Sequence, residues 1–397
     1  MAGLIVGLLL KRQGWSVDIF ERSGESLASR GAGITPHKEL FDAFRQAGAD
    51  IENAMGIESH GRIIFGHDGG ISAEVEASQL FTSWGLLYRF LRKKFPDERY
   101  HNGAAATEVD EDDHAVTIGF QDGSSKAFDW LIGADGLRSL VRESVAPERQ
   151  LEYTGYVAWR GLVPEALLPE AIGEQLENRM AFYLPPGEHM LGYTVAGPND
   201  TLIRGQRWYN WVWYRPTPAD PARTEIFSDA EGSYQPDGIA PHQISNAVIA
   251  MMRSDAERLL PPQFQAVVRS TEQPFIQPIV EVASERLLFN RIALIGDAAF
   301  TVRPHIGLGV SKAAEDAATL ARAFEKPEAE IPEALRDWEQ ARLKFGRAVL
   351  KRSADLGCYL SGAPQSDVEV ERFQRFQSAE VLMTGIAAAQ PYEFLEL

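Results

Sequence analysis

The strongest structural signal in the chain lies in the stretch Arg291-Ile-Ala-Leu-Ile-Gly-Asp-Ala-Ala-Phe-Thr-Val-Arg-Pro-His-Ile-Gly-Leu-Gly-Val-Ser-Lys-Ala-Ala-Glu-Asp-Ala317. Its apolar, β-branched start, Ile292 to Ile295, predicts a buried strand that stops at Gly296-Asp297. A loop follows, and an alanine-rich helix begins after Gly307-Leu308-Gly309. The first backbone N–H groups of a helix are unpaired and carry partial positive charge. The order of strand, loop and helix therefore predicts an α/β fold with a site for an anionic group at this helix start.

Two other segments have the same pattern of a strand that ends in a polar residue. Trp130-Leu-Ile-Gly-Ala-Asp-Gly-Leu-Arg-Ser-Leu-Val-Arg142 predicts an apolar strand that turns through Asp135-Gly136 into a helix. Val17-Asp-Ile-Phe-Glu-Arg22 predicts a strand that ends at Glu21. A carboxylate in this position, about 20 residues after a glycine loop, is what recognition of a ribose requires in dinucleotide-binding folds. The two segments therefore indicate a dinucleotide site.

The opening of the chain, Met1-Ala-Gly3-Leu-Ile-Val-Gly7, matches only the end of the glycine fingerprint of such folds. Gly3 corresponds to the last glycine of the fingerprint, and Glu21 follows it 18 residues later. Gly3 and Gly7 lie four residues apart, which predicts one helix face that packs closely on a sheet. We expect the first strand and the first loop glycines in a reading frame that begins roughly ten residues upstream.

Composition restricts the class of protein. The chain has 397 residues, a formal net charge of -17 and 45% hydrophobic residues, which is typical of a globular protein large enough for two domains. An acidic chain is poorly suited to bind nucleic acid. The longest apolar run, Leu4 to Leu10, is too short to span a bilayer, and no signal peptide is evident, so we expect a cytoplasmic protein. The single cysteine, Cys358, excludes internal disulfides, and the acidic run at residues 110–113 predicts a solvated turn, so we expect no metal site.

The three motifs resemble those of the flavoprotein aromatic hydroxylases, the FAD-dependent monooxygenases with a p-hydroxybenzoate-hydroxylase-like fold. Two further elements, Thr154-Gly-Tyr-Val-Ala-Trp-Arg-Gly161 and Arg303-Pro-His-Ile-Gly307, are similar to those of 2,6-dihydroxypyridine 3-hydroxylase-like enzymes. In many phenol hydroxylases a histidine follows Gly-Asp-Ala-Ala. This chain has Phe300 in that position and His305 after the proline, which favours the pyridine-type subgroup.

The resemblance implies an α/β fold with a Rossmann-like FAD-binding domain, whose first strand is absent from the sequence before Gly3, an antiparallel-sheet substrate domain and C-terminal helices. The predicted FAD-binding domain is discontinuous and comprises residues 1–60, 96–150 and 276–360. The predicted substrate-binding domain comprises residues 61–95 and 151–275, where strands rich in aromatic residues occur. Residues 361–397 are interpreted as a C-terminal tail.

The resemblance also implies roles for individual residues. The expected FAD contacts are Gly3, Glu21, Arg22, Arg30, Arg89, Asp135, Gly136, Arg142, Gly296, Asp297, Pro304, Gly307, Leu308 and Gly309. Among them, Arg30 and Arg142 are expected to contact phosphate. The expected catalytic residues are His305, Tyr193 and Pro304. His305 is either a base that deprotonates a ring hydroxyl or a histidine that only satisfies a loop carbonyl, and Pro304 is expected to pack beside the flavin ring.

The aromatic strands leave several roles open. Tyr193, Trp208 and Trp211 could form a wall for a flat ring, although strand aromatics are more often core, and we favour the core for both tryptophans. Arg160 either binds a polar group of the substrate or braces the two domains. His189 follows the turn Pro185-Pro-Gly187 and is expected to be exposed.

The function implied by the resemblance is the use of NAD(P)H and O2 to hydroxylate a small electron-rich aromatic or N-heteroaromatic ring through a flavin C4a-hydroperoxide. The sequence has no second dinucleotide fingerprint for the nicotinamide cofactor. One alternative is a related hydroxylase of a larger substrate, such as a quinone precursor, a polyketide or an antibiotic. Another is a flavin-free relative without enzymatic activity. A homodimer is compatible with each of these functions.

Overall fold

The computed structural model describes residues 1–25, 27, 33–49, 56–218, 221–236, 238–362, 364 and 366–395. The helices are Ala2–Arg12 (α1), Lys38–Gln46 (α2), Trp84–Arg92 (α3), Leu140–Val145 (α4), Glu170–Leu176 (α5), Ala222–Ile226 (α6), Asn246–Leu259 (α7), Pro262–Arg269 (α8), Gly309–Ala323 (α9), Ile331–Leu356 (α10), Asp367–Arg375 (α11) and Ala379–Gly385 (α12). Of the helices in these ranges, none is both long and apolar enough to cross a membrane.

The strands lie singly or in runs between these helices. They are Ile19–Glu21 (β1), Gly33–Ile34 (β2), Ile57–Phe65 (β3), Ile71–Ser83 (β4), Tyr100–Asn102 (β5), Ala106–Glu111 (β6), Val116–Phe120 (β7), Ser125–Phe128 (β8), Leu131–Gly133 (β9), Glu152–Pro164 (β10), Arg179–Tyr183 (β11), His189–Val195 (β12), Trp208–Pro216 (β13), Phe275–Ala283 (β14), Leu288–Phe289 (β15), Ile292–Leu294 (β16) and Phe300–Thr301 (β17). The mixture of helices and several sheets confirms the predicted α/β class.

A large sheet has the strand order β17-β14-β10-β13-β12-β11-β3-β4-β2. Its neighbouring strands are antiparallel except for β11 and β3, which are parallel. Successive residues of a strand point to opposite faces. On β13, Trp211 and Trp213 therefore pack into a core with Met252 of α7 and Phe264 of α8, where each fully buried large side chain contributes about 1.5–3 kcal/mol. The other face of the sheet is directed at the segment that precedes α9.

Two smaller sheets also contain parallel pairs of strands. β1 pairs with β5, and β9 pairs with β16, which also binds the antiparallel β15. The helix α1 packs against these strands through its glycines. A Cβ atom at Gly7 would lie 3.0 Å from Ile19 Cδ1 and 3.1 Å from Phe95 Cε2, and one at Gly3 would lie 3.5 Å from Ala134 Cβ. The predicted close packing of this helix face is therefore confirmed.

The expected domain boundaries stay a prediction, but two placements bear on them. The strand β14, Phe275–Ala283, pairs with β10 and so belongs to the large sheet, although most of it lies in the range 276–360 assigned to the FAD-binding domain. The C-terminal residues also pack into the fold, because Leu382 and Ile386 are fully buried against the large sheet. The tail is therefore part of the body of the protein.

Candidate active site

The segment from the end of β16 to the first residue of α9, residues 296–309, is irregular apart from the short strand β17 and short helical turns, and we call it the cofactor loop. Gly296 and Gly307 have positive φ angles of 64° and 68°, a conformation that favours glycine. The start of the loop is fixed to α9 because Gly296 N donates to Asp316 Oδ2 at 3.0 Å, while Lys312 Nζ donates to Gly296 O at 2.8 Å. These two bonds hold the strand end against the first turns of the helix.

Behind the cofactor loop lies a set of buried ionic groups that we call the charge network: Lys312, Asp316 and Arg342. Lys312 Nζ lies 3.0 Å from Asp316 Oδ2, and Arg342 Nε donates to Asp316 Oδ1 at 2.7 Å. Burial alone would raise the pKa of Asp316, but the charges of Lys312 and Arg342 outweigh burial and lower this pKa. These residues were not predicted as part of the site, although the spacing of four between Lys312 and Asp316 on one helix face is a recognisable ion-pair signal.

Two of the predicted cofactor residues lie at the ends of parallel strands. Glu21 ends β1, and its Oε1 accepts a hydrogen bond from Ser23 N at 2.9 Å. Asp297 follows β16. Its side chain is exposed to solvent but has many protein atoms around it, so it lies in a recess of the surface. This surrounding protein raises the pKa of Asp297, and the nearby Lys312 opposes the rise. The charges of Asp297 and Glu21 both act on the amino group of Met1, so the two carboxylates border one region.

The space beside these carboxylates suits a dinucleotide. A Cβ atom at Gly309, the first residue of α9, or at Gly136 would meet no atom within 4 Å among the described residues. A helix start and the carboxyl ends of parallel strands are where dinucleotide phosphates and riboses bind in α/β folds. The residues present therefore fit FAD, with backbone free to approach its phosphates or its ring.

The second motif lies against the cofactor loop. Asp135 accepts from Ser139 Oγ at 2.5 Å and from Val141 N at 3.2 Å, so its carboxylate also stabilises the start of α4. Arg142 is buried and donates to Ala298 O at 3.1 Å and to Leu137 O at 2.8 Å. Its guanidinium thus braces the two motifs against each other, and the phosphate contact expected from the sequence stays a prediction.

The remaining predicted cofactor residues differ in exposure and in their place in the fold. Arg89 is exposed, and its Nε donates to Asp200 Oδ2 at 3.2 Å. Arg22 is exposed beside Glu21. Arg30 lies outside the described residues. Leu308 is fully buried immediately before α9, whereas Pro304 begins a short helical turn, Pro304–Ile306, in the cofactor loop.

The face of the large sheet directed at the cofactor loop carries Tyr193 and Asn210. Tyr193 is buried, stacks on Phe81 at a centroid distance of 4.0 Å, and lies so close to Gly33 that a Cβ atom there would be 2.7 Å from its hydroxyl oxygen. Asn210 Oδ1 accepts from Gly33 N at 3.2 Å. Trp211 lies on the opposite face and donates to Thr271 Oγ1 at 2.8 Å. The preference for a core role is therefore confirmed for Trp211, and Tyr193 lies on the side of the candidate site.

His305 is fully buried over the same sheet face and contacts a group of aromatic residues. We call this group the histidine cluster: His189, His305, Tyr156, Tyr214 and Tyr359. His305 Nε2 forms a 2.9 Å hydrogen bond with the hydroxyl of Tyr156. The interpretation that His305 only satisfies a loop carbonyl is therefore wrong. Burial, reinforced by the charges of His189 and Arg303, lowers the pKa of His305 well below its ordinary value.

The expectation that His189 is exposed is also wrong, because none of its surface is accessible. The turn after Pro185 ends at Glu188, and His189 is the first residue of β12, on the strand face that points inward. It is paired across the sheet with Tyr214. The alternation of β12 itself, counted back from Tyr193, is the signal that could have placed it.

The C-terminal segment completes the surroundings of the cofactor loop. Ala387 N donates to His305 O at 2.8 Å. Arg62 of β3, which is only 3% exposed, donates to the carbonyl groups of Met383 at 3.0 Å, Ile386 at 2.7 Å and Ala387 at 2.7 Å. A buried arginine thus joins the large sheet to the segment that contacts the loop, a role that the sequence analysis did not predict.

Comparisons with known proteins agree with this geometry. A family model described as FAD binding domain-like matches residues 153–281. The chain is 29% identical to 2,6-dihydroxypyridine 3-monooxygenase of Paenarthrobacter nicotinovorans, over 89% of this chain and 87% of that protein. It is 30% identical to the aurachin C monooxygenase/isomerase of Stigmatella aurantiaca, over 90% of this chain and 86% of that protein. The solved structure of 2,6-dihydroxypyridine-3-hydroxylase from Arthrobacter nicotinovorans is similar with a TM-score of 0.86 and 28% identity, and 92% of each chain is covered.

The fold and the site thus define a dinucleotide-binding flavoprotein. More specifically, the chain belongs to the FAD-dependent aromatic monooxygenase family, and FAD is its cofactor. The resemblance predicted from the three motifs is therefore confirmed, including its similarity to the dihydroxypyridine hydroxylases.

Proposed function

We propose that the protein uses NAD(P)H and O2 to hydroxylate a small, electron-rich N-heteroaromatic ring of the hydroxypyridine type. The observation that carries this proposal is the histidine cluster, which sets His305 of the cofactor loop against tyrosines of the large sheet. Aromatic walls with a few polar groups suit a flat ring that carries hydroxyls. The similarity to 2,6-dihydroxypyridine 3-monooxygenase supports the same class of substrate.

We propose that FAD lies across the strand ends and the start of α9. Glu21 would bind a ribose, Gly296 and Asp297 the ribityl chain, and the backbone from Gly307 to Gly309 the ring. Further contacts are proposed for Gly3, Arg22, Arg30, Arg89, Asp135, Gly136 and Arg142. When bound, FAD would supply the redox chemistry that links the nicotinamide cofactor to O2.

The residues of the chain itself would position the substrate ring and polarise its hydroxyl. Burial keeps the imidazole of His305 neutral but also weakens it as a base, so His305 would act on a ring hydroxyl mainly through a hydrogen bond that polarises the O–H bond and makes the ring more nucleophilic. Its hydrogen bond to Tyr156 fixes the ring orientation. Tyr193 would form part of the aromatic wall, and Pro304 would pack beside the flavin. The surrounding buried side chains would exclude water.

A second candidate function is hydroxylation of a larger ring system. The specific observation in its favour is the 30% identity to an enzyme named for aurachin C. The two functions differ in the size of ring that stimulates oxidation of the nicotinamide cofactor. A cytoplasmic location and a homodimer remain further proposals.

The test is an assay of the purified, FAD-loaded protein with NADH or NADPH and 2,6-dihydroxypyridine, compared with a bicyclic hydroxyquinoline. We expect the pyridine to stimulate nicotinamide oxidation and oxygen uptake, with a product heavier by one oxygen atom. The variant Asp297→Ala should be colourless because it loses FAD, whereas Asp337→Ala, on the exposed side of α10, should remain yellow. Stimulation by the bicyclic ring alone would favour the second function, and a wild-type protein that cannot hold FAD would contradict both.

A further inference from the structure

The long helix α10 carries a line of charged and polar residues on the side opposite its buried residues. Six exposed residues form this line, which we call the outer stripe: Glu333, Asp337, Gln340, Lys344, Arg347 and Lys351. They follow one another at spacings of four and three positions in strict alternation. This alternation keeps residues on one line of a helix that faces a second helix. The stripe extends for about 27 Å, which is long enough for such a contact.

The charges of the outer stripe are segregated by sign. Its two residues in the N-terminal half are acidic, its last three residues are basic, and the neutral Gln340 lies between them. Like charges three or four positions apart on a helix repel each other and destabilise it slightly. The helix dipole favours acidic residues in the first turn and basic residues in the last turn, but its effect is lost beyond those turns. The dipole therefore does not account for Asp337 or Lys344.

The protein itself leaves most of these charges without a counter-charge. In the part of the chain that the structure describes, no ion pair is formed by Glu333, Asp337, Lys344 or Arg347. Asp355, near the end of the same helix, differs because it accepts from Arg372 of α11 at 2.7 Å. The four charges of the stripe are therefore available to a partner outside the chain.

The basic half of the outer stripe also borders a groove with apolar walls. The groove has a volume of about 700 Å³ and is lined by Leu343, Ala348 and Phe394 in addition to the basic residues. The ring of Phe394 is 39% exposed. The formal net charge of the whole chain is -17, so this basic groove is an exception on an acidic protein. It suits a partner that presents acidic side chains and some apolar surface.

The acidic half of the same stripe has the charges that such a partner needs. When two copies of α10 are placed antiparallel about position 342, Glu333 of each copy faces Lys351 of the other. Asp337 of each copy then faces Arg347 of the other. Both acidic positions thus meet basic ones, and every contact occurs twice because the arrangement has two-fold symmetry. A parallel arrangement in the same register would place like charges opposite each other.

We propose that α10 is the contact helix of a homodimer, in which a second copy of this chain packs antiparallel on the outer stripe. Four ion pairs set the orientation and the register, and the groove beside Phe394 contributes apolar contact. Exposed ion pairs are individually weak and are screened by salt. Dimerisation therefore depends on protein concentration and decreases as salt is added. The proposal goes beyond the proposed function, because no residue of the stripe belongs to the candidate active site.

The experiment reverses single charges in the FAD-loaded protein and measures its mass by sedimentation equilibrium over a range of protein concentrations. The wild type should approach twice the chain mass of 44.0 kDa at low salt. Asp337→Lys places cations opposite each other in the dimer, and Arg347→Asp places carboxylates opposite each other. Each variant should weaken association by roughly tenfold or more, because symmetry repeats the change.

Two combinations of these substitutions should restore association. The double variant with Asp337→Lys and Arg347→Asp regains opposite charges in both contacts, and an equimolar mixture of the two single variants should form a heterodimer. The two positions are about 15 Å apart along one helix, so restoration through a contact within one chain is excluded. Asp113→Lys, between β6 and β7, is the matched control. It changes the net charge as Asp337→Lys does and should leave association unchanged.

The other outcomes would overturn the proposal. A wild type that sediments as a monomer at every concentration would do so, and binding of inorganic phosphate to that monomer would identify a different occupant of the groove. A dimer that both single variants leave intact would place the interface elsewhere. Loss of the dimer without restoration in the double variant would refute the antiparallel register. Melting temperature and FAD content should match those of the wild type in every variant, because the substituted side chains are exposed.

Discussion

The charge network and the histidine cluster both contain buried polar side chains near the cofactor loop, but they differ in whether those side chains have partners. In the network, Asp316 is bound by Lys312, Arg342 and the backbone of Gly296, and its charge is matched on both sides. In the cluster, the imidazoles are kept neutral by burial, and His189 has no partner among the residues that the structure describes. The charge network thus holds the backbone of the cofactor loop against α9, whereas the histidine cluster contains buried polar atoms that have no partner in the part of the chain that the structure describes.

The largest effect is expected from breaking the charge network. Asp316→Asn removes the carboxylate between Lys312 and Arg342. Arg342 keeps its ion pair with Glu315 at 3.1 Å, but buried Lys312 loses its carboxylate partner. Such a loss typically costs about 3–5 kcal/mol. We expect denaturant unfolding to report a decrease of this size, accompanied by weaker FAD binding, because Gly296 is no longer held against α9. Asp337→Asn, with an exposed carboxylate on α10, is the control and should change stability little. A stable Asp316→Asn protein with normal FAD content would show that the network does not position the loop.

The charge network also illustrates why the sequence predicted the fold better than the site. The strand, loop and helix around Gly296 were predictable because they depend on local periodicity and glycine positions. Arg342 meets Asp316 only because α10 packs on α9, and Arg62 reaches Ala387 across 325 positions of the chain. Contacts of this kind depend on which helices and strands pack together, and the local pattern of a single sequence does not predict that. The position of His189 is hard to predict for a simpler reason, because the turn that ends at Glu188 directly precedes the first residue of β12 and a turn residue is usually exposed.

The next largest effects are expected from two glycines of the cofactor loop. One substitution should lower the stability of the protein, and the other should lower only its affinity for FAD. Gly307→Ala places a Cβ atom 2.9 Å from Ala387 Cα and forces alanine into a positive φ, which should cost about 1–2 kcal/mol of stability. Gly309→Ala would meet no atom of the described residues within 4 Å, so the stability of the FAD-free protein should change little. Its FAD affinity should nevertheless fall if the cofactor occupies that space. Parallel measurements of melting temperature without FAD and of the FAD dissociation constant separate the two variants. Normal FAD affinity in Gly309→Ala would place the cofactor elsewhere.

The smallest effect concerns pH and tests whether His189 is neutral in the folded state. In the unfolded chain a histidine gains a proton near pH 6.5, whereas burial lowers the pKa of folded His189 to about 3. The unfolded state therefore binds more protons between these values, and the stability that His189 contributes above pH 6.5 is lost as the pH falls towards 3. We expect the unfolding free energy of the wild type to decrease more steeply than that of His189→Leu from pH 6.5 to 5, by roughly 1 kcal/mol per pH unit. His37, whose pKa burial lowers to about 4, acts in the same direction in both proteins and cancels in this comparison. Equal slopes would mean that His189 is protonated or accessible in the folded protein, and the contrast between the charge network and the histidine cluster would then fail.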